Sequence, residues 1–143
     1  MNHIGLYLKK IHNRLRAEQN CALKALGVTG TQLDFLEYLY HCPDGHNTLS
    51  DLAAFFDVKH TSALHVVKIL EQNHLLIREP APTDSRCRQL LLTDTAIEIV
   101  TKNEAAIMRK EKQLTRGFSE EELNTLQQLL SRLYQNLETS DTP

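Results

Sequence analysis

One interruption in an otherwise helical pattern constrains this chain more than any other feature of its sequence. Apolar residues recur three or four positions apart along most of the 143 residues, which is the spacing of amphipathic helices. Between 75 and 92 the pattern changes to two short apolar runs, 75–78 and 87–92, separated by a polar segment that contains Pro80 and Pro82. This pattern predicts a β-hairpin with a long tip. The chain is therefore expected to be mostly α, with six helices and one two-stranded hairpin.

The segment before the hairpin begins with two predicted helices. The first covers 4–26 and ends at Gly27, and a cap at Thr29 or Thr31 opens the second. The Pro, Asp, Gly and Asn residues of 42–47 favour a turn, so a loop follows. The expected buried stripe of the second helix is Leu33, Leu36, Leu39 and Tyr40.

Two shorter helices joined by a tight turn come next. Ser50 is placed to cap a helix over 51–56, and 59–62 open another. The second helix of this pair is predicted to pack inward through Ala63, Val66, Val67 and Leu70. This arrangement outlines a helix-turn-helix, whose second helix presents its N-terminal polar residues to the major groove of DNA. A hairpin appended to such a pair is a wing.

Two long helices are predicted after the hairpin. Thr93 caps the first, which ends near Gly117, and Ser119 and Glu122 have the capping-box spacing of the second. The last helix carries leucines three or four residues apart, at Leu123, Leu126, Leu130, Leu133 and Leu137. These helices and the first one carry more apolar surface than a winged domain can cover, so we expect part of it to bury against a second copy of the chain.

Charge and cysteine content exclude several classes of protein. The net charge of -2 argues against coating of nucleic acid by bulk attraction, although 59–88 alone hold five Lys/Arg against three Asp/Glu. Three cysteines without C-x-x-C spacing favour free thiols in a reducing compartment, and no metal or other cofactor is expected. The longest apolar run, 52–56, is too short to cross a bilayer, and the N-terminus lacks a secretory pattern. A cytoplasmic location is therefore expected.

The order of these elements and several local motifs resemble the MarR family of bacterial transcriptional regulators. The most recognisable stretch is Asp84-Ser85-Arg86 followed by Leu90-Leu91-Leu92-Thr93, which is similar to that family's wing signature of Asp-x-Arg, an apolar strand and Leu-Thr. The resemblance extends over 29–36 and 52–53, together with Val58, Leu70-Glu71 and Leu75.

The resemblance implies an organisation and a function. It implies a single domain over 1–143, with a winged helix-turn-helix lobe at 28–93 and a helical dimerisation region formed by 1–27 with 94–138. It also implies a homodimeric regulator, not an enzyme, that binds a pseudo-palindromic operator in double-stranded DNA, for example as a repressor. Activation stays open, as do the operator and the regulated genes.

Two positions depart from the family pattern. The family usually has Gly after the recognition helix, whereas this chain has Asn73 and His74. Because Asn tolerates positive φ better than most residues, we expect Asn73 to adopt the left-handed conformation there. The recognition helix also carries His65 where relatives often have Arg, which weakens the case for a bidentate contact to guanine.

Nine side chains are predicted to form the DNA-contacting set. Arg86 at the wing tip suits a narrow minor groove, where the negative potential is deepest, and Asp84 is expected to fix its direction. The alternative is an exposed salt bridge without a role in DNA binding. Candidates for base edges or phosphates are Thr61, Ser62 and His65. The alternative for Thr61 and Ser62 is helix capping alone. The predicted phosphate contacts are Lys59, His60, Lys68 and Arg88.

Regulation and rival functions complete the interpretation. The resemblance implies a small lipophilic or phenolic effector bound between the dimer base and the DNA-binding lobe, with His12, Arg16 and Tyr40 as candidate lining residues. Two alternatives stay open: a winged helix used for protein contact, and a redox sensor that uses Cys21, Cys42 or Cys87. The chain lacks a nucleophile elbow, a Gly-rich phosphate loop and an H-E-x-x-H helix, so enzymatic activity is not expected. A metal sensor is disfavoured because 94–143 contain no His.

Overall fold

The computed structural model describes residues 3–82, 84 and 86–138. Within these residues it contains the six α-helices and the two-stranded hairpin that the sequence predicts, and the mostly α winged helix-turn-helix fold is confirmed. The elements are α1 (Ile4–Leu23), α2 (Gly30–His41), α3 (Leu49–Phe55), α4 (His60–Gln72), β1 (Leu76–Pro80), β2 (Arg88–Leu92), α5 (Asp94–Leu114) and α6 (Glu120–Glu138), with a 3-10 turn at Lys24–Leu26. None of the described helices is long and apolar enough to span a membrane.

The chain divides into two compact units, Met1–Asn103 and Glu104–Pro143. The core of the first unit is built from the inward faces of α2, α3 and α4, the hairpin and the start of α5. Leucines and small apolar residues at helical spacing supply it, as the periodicity predicts. Among the described residues, the largest fully buried side chains are Leu23, Leu33, Leu36, Leu52, Leu70, Val67 and Val100.

The buried stripe predicted for α2 is confirmed at Leu33 and Leu36 but is wrong at Tyr40. Both leucines are fully buried and Leu39 packs against the core, but Tyr40 is 39% exposed. Phe35 is buried in its place, because its ring stacks on Phe56 with 5.0 Å between the ring centroids. The end of α3 therefore covers a face of α2 that periodicity within α2 leaves undetermined.

A glycine lies where α1 and α2 approach each other. Gly30 opens α2 and is buried, and its N–H donates to Oδ1 of Asn20 at 2.6 Å. A Cβ at this position would collide with the side chains of Arg16 and Gln19. Thr29 caps α2 as one of the two predicted candidates, and it forms a capping box with Gln32.

The start of α3 differs from the prediction. Thr48 is the N-cap instead of Ser50, and the helix begins at Leu49. Thr48 Oγ1 accepts from the N–H of Asp51 at 3.2 Å, while Asp51 Oδ2 accepts from the N–H of Thr48 at 3.0 Å. Thr48 is also paired with Gln89 of β2 in an isolated antiparallel bridge. This long-range pairing holds Thr48 extended, which is the backbone state that an N-cap requires.

The end of α4 corrects a second prediction. Asn73 has φ -88° and its N–H donates to the carbonyl of Ile69 at 3.0 Å, so it continues the helical pattern. His74 takes the left-handed conformation, with φ 58°. Thr93 Oγ1 donates to the carbonyl of His74 at 2.8 Å. The reversal falls at His74 because the N–H of the next residue, Leu75, turns back and donates to the carbonyl of Leu70 at 2.9 Å.

The hairpin is antiparallel, with Leu76 opposite Leu92 and Pro80 opposite Arg88. Two connections anchor it to the helices. The N–H of Leu90 donates to the carbonyl of Asn47 at 2.8 Å, and Asn47 Nδ2 donates back to the carbonyl of Leu90 at 3.3 Å. On the other strand, Arg78 Nη2 lies 2.6 Å from Glu71 Oε1 of α4. The wing is thus bonded both to the 42–48 loop and to α4.

The second unit contains the later part of α5 and all of α6. Gly117 has φ 85° between the two helices, as a helix stop requires. Ser119 and Glu122 form the predicted capping box, with hydrogen bonds of 3.0 and 3.1 Å. No residue of α6 is buried within Glu120–Glu138. Its exposed apolar side chains are Leu126, Leu129, Leu130, Tyr134 and Leu137.

Candidate nucleic-acid interface

One face of α4 presents polar and basic side chains to solvent. Thr61, His65 and Lys68 are exposed and lie four and three residues apart, so they share this face. His60 and Ser62 are also exposed in the first turn. The opposite face of the helix is fixed by Ala63, Val67 and Leu70, which are fully buried. The core contacts therefore orient the predicted DNA-contacting side chains of α4 away from the protein.

The N-terminus of α4 is built differently from those of α2 and α3. Its N-cap is Lys59, whose side chain makes no capping hydrogen bond, whereas Thr29 and Thr48 cap the other two helices. The first helical bond of α4 runs from the N–H of Ala63 to the carbonyl of Lys59 at 3.0 Å. Uncapped first-turn amides and the helix dipole favour an anion at this end.

The wing tip holds an arginine in a defined local geometry. Asp84 Oδ1 accepts from the backbone N–H of Arg86 at 3.0 Å and from its Nε at 3.2 Å. The Arg86 side chain is nevertheless 89% exposed. Both hydrogen bonds hold the pKa of the Asp84 carboxyl below its usual value, and the bond from the backbone N–H contributes most. Asp84 therefore stays ionised and orients Arg86, as the sequence predicted, while Arg88 is exposed at the start of β2.

The cysteines offer little support for a reactive thiol. Burial raises the pKa of the Cys42 thiol, with further contributions in the same direction from Asp51 and Asp44. Cys87 Sγ donates to Asp84 Oδ2 at 3.8 Å. Cys21 is exposed on α1. Among the described residues, no cluster of three His, Cys, Asp or Glu side chains suits a metal ion.

The three candidate effector residues occupy different settings. Arg16 Nη2 binds Asp34 Oδ2 at 2.9 Å and Nη1 binds Gln19 at 2.8 Å. His12 is exposed on α1. Tyr40 lines a groove of about 1040 Å³ in the first unit, together with residues of the 42–48 loop and the wing. Of the three candidates, Tyr40 alone is among the described residues that line this groove.

Sequence reasoning missed the residues that join the wing to the rest of the first unit. Arg78 and Glu71 bridge β1 and α4, and Asn47 pairs with Leu90 across 43 positions of sequence. The charges of Arg78 and Glu71 are visible in the sequence, but their pairing requires knowledge of the fold. Asn47 carries no distinguishing local signal beyond its place in a turn-rich loop.

Paired helices α3 and α4, followed by a hairpin bonded to α4, define a winged helix-turn-helix protein. No family model matches the chain. A putative transcriptional regulatory protein for the hcr operon of Thauera aromatica is 36% identical over 94 residues, which are 66% of this chain. The chain spans 55% of that relative's length.

Two solved structures extend the comparison. The transcription regulator MarR from Oenococcus oeni PSU-1 is 27% identical, with a TM-score of 0.83 over 93% of this chain and 99% of that one. The S. aureus MepR–DNA complex is 21% identical, with a TM-score of 0.89 over 94% of this chain and 96% of that one. The resemblance to the MarR family is thereby confirmed, since the chain has the fold of MarR-family transcriptional regulators over nearly its whole length. These neighbours are regulators, in agreement with the expectation that the chain is not an enzyme.

Proposed function

We propose that this chain is a sequence-specific DNA-binding transcriptional regulator that acts on double-stranded DNA in the cytoplasm. The observation that carries the proposal is the pairing of two exposed elements in one lobe: the polar face of α4 and Arg86, held by Asp84 at the wing tip. The likeness to a structure solved as a complex with DNA supports it. The winged helix-turn-helix lobe is proposed to extend over 28–93.

Each element has a role that follows from its chemistry. Thr61, Ser62 and His65 have donors and acceptors suited to base edges in the major groove. Lys59, His60, Lys68 and Arg88 supply cationic or potentially cationic groups for phosphates. The guanidinium of Arg86 suits the minor groove, where closely spaced phosphates favour positive charge. We assign DNA binding to these residues together with Asp84.

A homodimer is the proposed DNA-binding form. In α1, Ile4, Leu8 and Ile11 are each more than 40% exposed, and the apolar residues of α6 are exposed as well. Exposed apolar side chains of this kind are costly in water and are typical of an interface between subunits. We therefore propose that 1–27 and 94–138 form the dimerisation region. A two-fold dimer places its reading helices about 34–36 Å apart, so its operator should be a pseudo-palindrome.

An effector site is proposed in the groove beside Tyr40. Its volume of about 1040 Å³ is ample for a small lipophilic or phenolic molecule. Leu90, Leu91 and Leu92 contribute apolar wall, and Asp84 reaches the same groove from the wing tip. A ligand here would contact the wing directly and thereby change the presentation of Arg86. Binding of a panel of phenols to the wild type and to Tyr40→Ala tests this assignment, which requires weaker binding by the variant.

Selection of bound duplexes from a random pool tests the DNA-binding function. We expect recovery of a pseudo-palindrome whose half-sites lie one helical turn apart. Affinity for the recovered operator should fall steeply with salt, with a log–log slope near -0.9 for each phosphate contact. Failure to enrich any duplex, or an affinity insensitive to salt, would reject the proposal and favour a winged helix used for protein contact.

A further inference from the structure

A second cavity lies between α2 and the end of α3. None of the proposed DNA-contacting residues is among its described lining residues. Its volume is about 430 Å³, which is within the usual range for small-molecule sites. Three aromatic rings line it: Tyr38, Phe55 and Phe56. It shares Cys42 and Pro43 with the groove beside Tyr40, but none of the three rings lines that groove.

The three rings form a corner instead of a stack. Phe55 and Phe56 meet at 80° with centroids 5.0 Å apart, and Tyr38 meets Phe56 at 66° and 6.1 Å. Tyr38 also packs against Phe55 at 4.8 Å. Phe35 stacks on Phe56 and fixes it from the core. Rings at steep mutual angles present both edges and faces, and the electron-rich face of an aromatic ring attracts cations.

Phe55 is the least buried member of this group. It is 64% exposed, although its ring contacts both Tyr38 and Phe56. The core of the first unit does not require a side chain in this position, because the buried residues of α3 are Leu52 and Ala53. A ligand seated in the cavity would remove some of the exposed ring surface from water.

The charged groups around the cavity are acidic on balance. Asp34 and Glu37 line it, and no Lys or Arg is among its described lining residues. Asp34 pairs with Arg16 at 2.9 Å and Glu37 lies 3.5 Å from His41 Nε2. His41 is the one lining group that can add positive charge.

The other titratable lining groups are neutral near pH 7. Burial raises the pKa of Tyr38, whose hydroxyl donates to the carbonyl of His46 at 2.8 Å. Burial likewise raises the pKa of Cys42, whose thiol donates to the carbonyl of Leu39. Neither group supplies a positive charge. The cavity therefore has an apolar wall, with the carboxylates of Asp34 and Glu37 at its rim.

We propose that this aromatic cavity is a binding site for a small lipophilic organic cation, such as an aromatic quaternary ammonium compound. The rings supply apolar area and cation–π attraction, and the Glu37 carboxylate adds negative charge at the rim beside the Asp34–Arg16 ion pair. An anion of the same size would meet the Glu37 carboxylate, while the nearest guanidinium, that of Arg16, is already paired with Asp34. The site is separate from the DNA-binding proposal and can be tested without DNA.

The test uses a cation and a neutral molecule of the same shape. Phenyltrimethylammonium and tert-butylbenzene differ in that carbon replaces the charged nitrogen. Titration of each into the full-length chain, followed by NMR chemical shifts, measures both affinities. We expect the cation to bind at least about tenfold more tightly, which is a difference of about 1.4 kcal/mol. Equal affinities, tighter binding of the neutral compound, or no binding of the cation would overturn the assignment.

Substitutions of Phe55 locate the site and separate the contribution of the aromatic ring from that of apolar contact. Phe55→Ala should weaken binding of phenyltrimethylammonium at least about fivefold, and Phe55→Leu should weaken it as well because leucine lacks the ring quadrupole. Phe118→Ala is the matched control, since Phe118 is 46% exposed and does not line the cavity. Unchanged affinity in Phe55→Ala or full affinity in Phe55→Leu would overturn the proposal. If Phe55→Ala fails to fold, the affinity ratio measured on the wild type still decides it.

Discussion

At the scale of single residues, the carboxylate of Asp84 organises the hydrogen bonds of the wing tip. Asp84 accepts two hydrogen bonds from Arg86 and one from Cys87. This arrangement keeps a mobile guanidinium in a narrower range of directions without burying it, which is how a surface arginine is prepared to enter a groove. The local sequence Asp-x-Arg predicts the pair because its partners are two residues apart.

Replacing Arg86 tests that role directly. Arg86→Ala should weaken binding to the selected operator by about tenfold or more, because it removes the charge proposed to enter the minor groove. Fluorescence anisotropy with labelled operator measures the change. Arg116→Ala removes the same charge from an exposed position in the second unit and should leave affinity within about twofold. Equal effects of the two variants would contradict a specific role for Arg86.

Asp51 gives a prediction on stability against pH. Its pKa is lowered chiefly by the side-chain hydrogen bond from Thr48, with the Thr48 N–H and the charge of His46 acting in the same direction. Because the folded pKa lies below the unfolded one, the folded chain binds fewer protons. The stabilisation is present above the unfolded pKa of about 3.9 and is lost as pH falls through the folded pKa.

Urea denaturation of the wild type and Asp51→Asn measures this contribution. The variant should be less stable at pH 7, and the difference between the two proteins should shrink as pH falls below about 4. Thr48→Ala should cost about 1 kcal/mol at pH 7, because it removes the N-cap. Ser50→Ala is the control and should have little effect, since Ser50 lies inside α3. A larger cost for Ser50→Ala would contradict the cap assignment.

At the scale of elements, the end of α4 decides how the helix-turn-helix continues into the wing. His74 occupies the left-handed region and its carbonyl accepts from Thr93. The adjacent N–H of Leu75 donates to the carbonyl of Leu70 at 2.9 Å. These backbone bonds close the helix and direct the chain into β1, so the conformation of this one residue sets the start of the wing.

Glycine substitutions test which residue carries the reversal. His74→Gly should stabilise the fold by about 0.5–1 kcal/mol, because it relieves the left-handed strain of a non-glycine residue. Asn73→Gly should destabilise it by a similar amount, since Asn73 has φ -88° and gains only unfolded-state freedom. Thermal unfolding followed by circular dichroism measures both. The opposite order of stabilities would place the left-handed residue at Asn73.

At the scale of the whole molecule, α1 and α6 expose apolar side chains to water, which is unfavourable in free energy for an isolated chain. They include Ile4, Leu8 and Ile11 in α1 and Leu126 and Leu130 in α6. A dimer would bury such surface, and it would also pair two reading heads on one operator.

Sedimentation equilibrium tests the dimer. The wild type should have twice the chain mass of 16.4 kDa. The double variant Leu126→Lys with Leu130→Lys should dissociate, because two ammonium groups would replace apolar side chains in the proposed interface. Ile77→Lys on the wing should leave the mass unchanged, since Ile77 is 50% exposed outside the proposed dimerisation region. A monomeric wild type would contradict the proposal.

Features that depend on a few neighbouring residues could be predicted from the local sequence. Helix periodicity, the stops at Gly27 and Gly117, the Ser119–Glu122 box and the Asp84–Arg86 pair are all local, and all were predicted. Short separations along the chain leave little doubt about which groups meet.

Features whose partners are far apart in sequence depend on how whole elements pack together. Thr48, which caps α3, is also bridged to Gln89 of β2, and the burial of Phe35 depends on Phe56, which follows α3. The aromatic cavity between α2 and α3 likewise requires both helices in place. Periodicity specifies which face of a helix is apolar. Which residues of the helix become buried depends on the element that packs against that face.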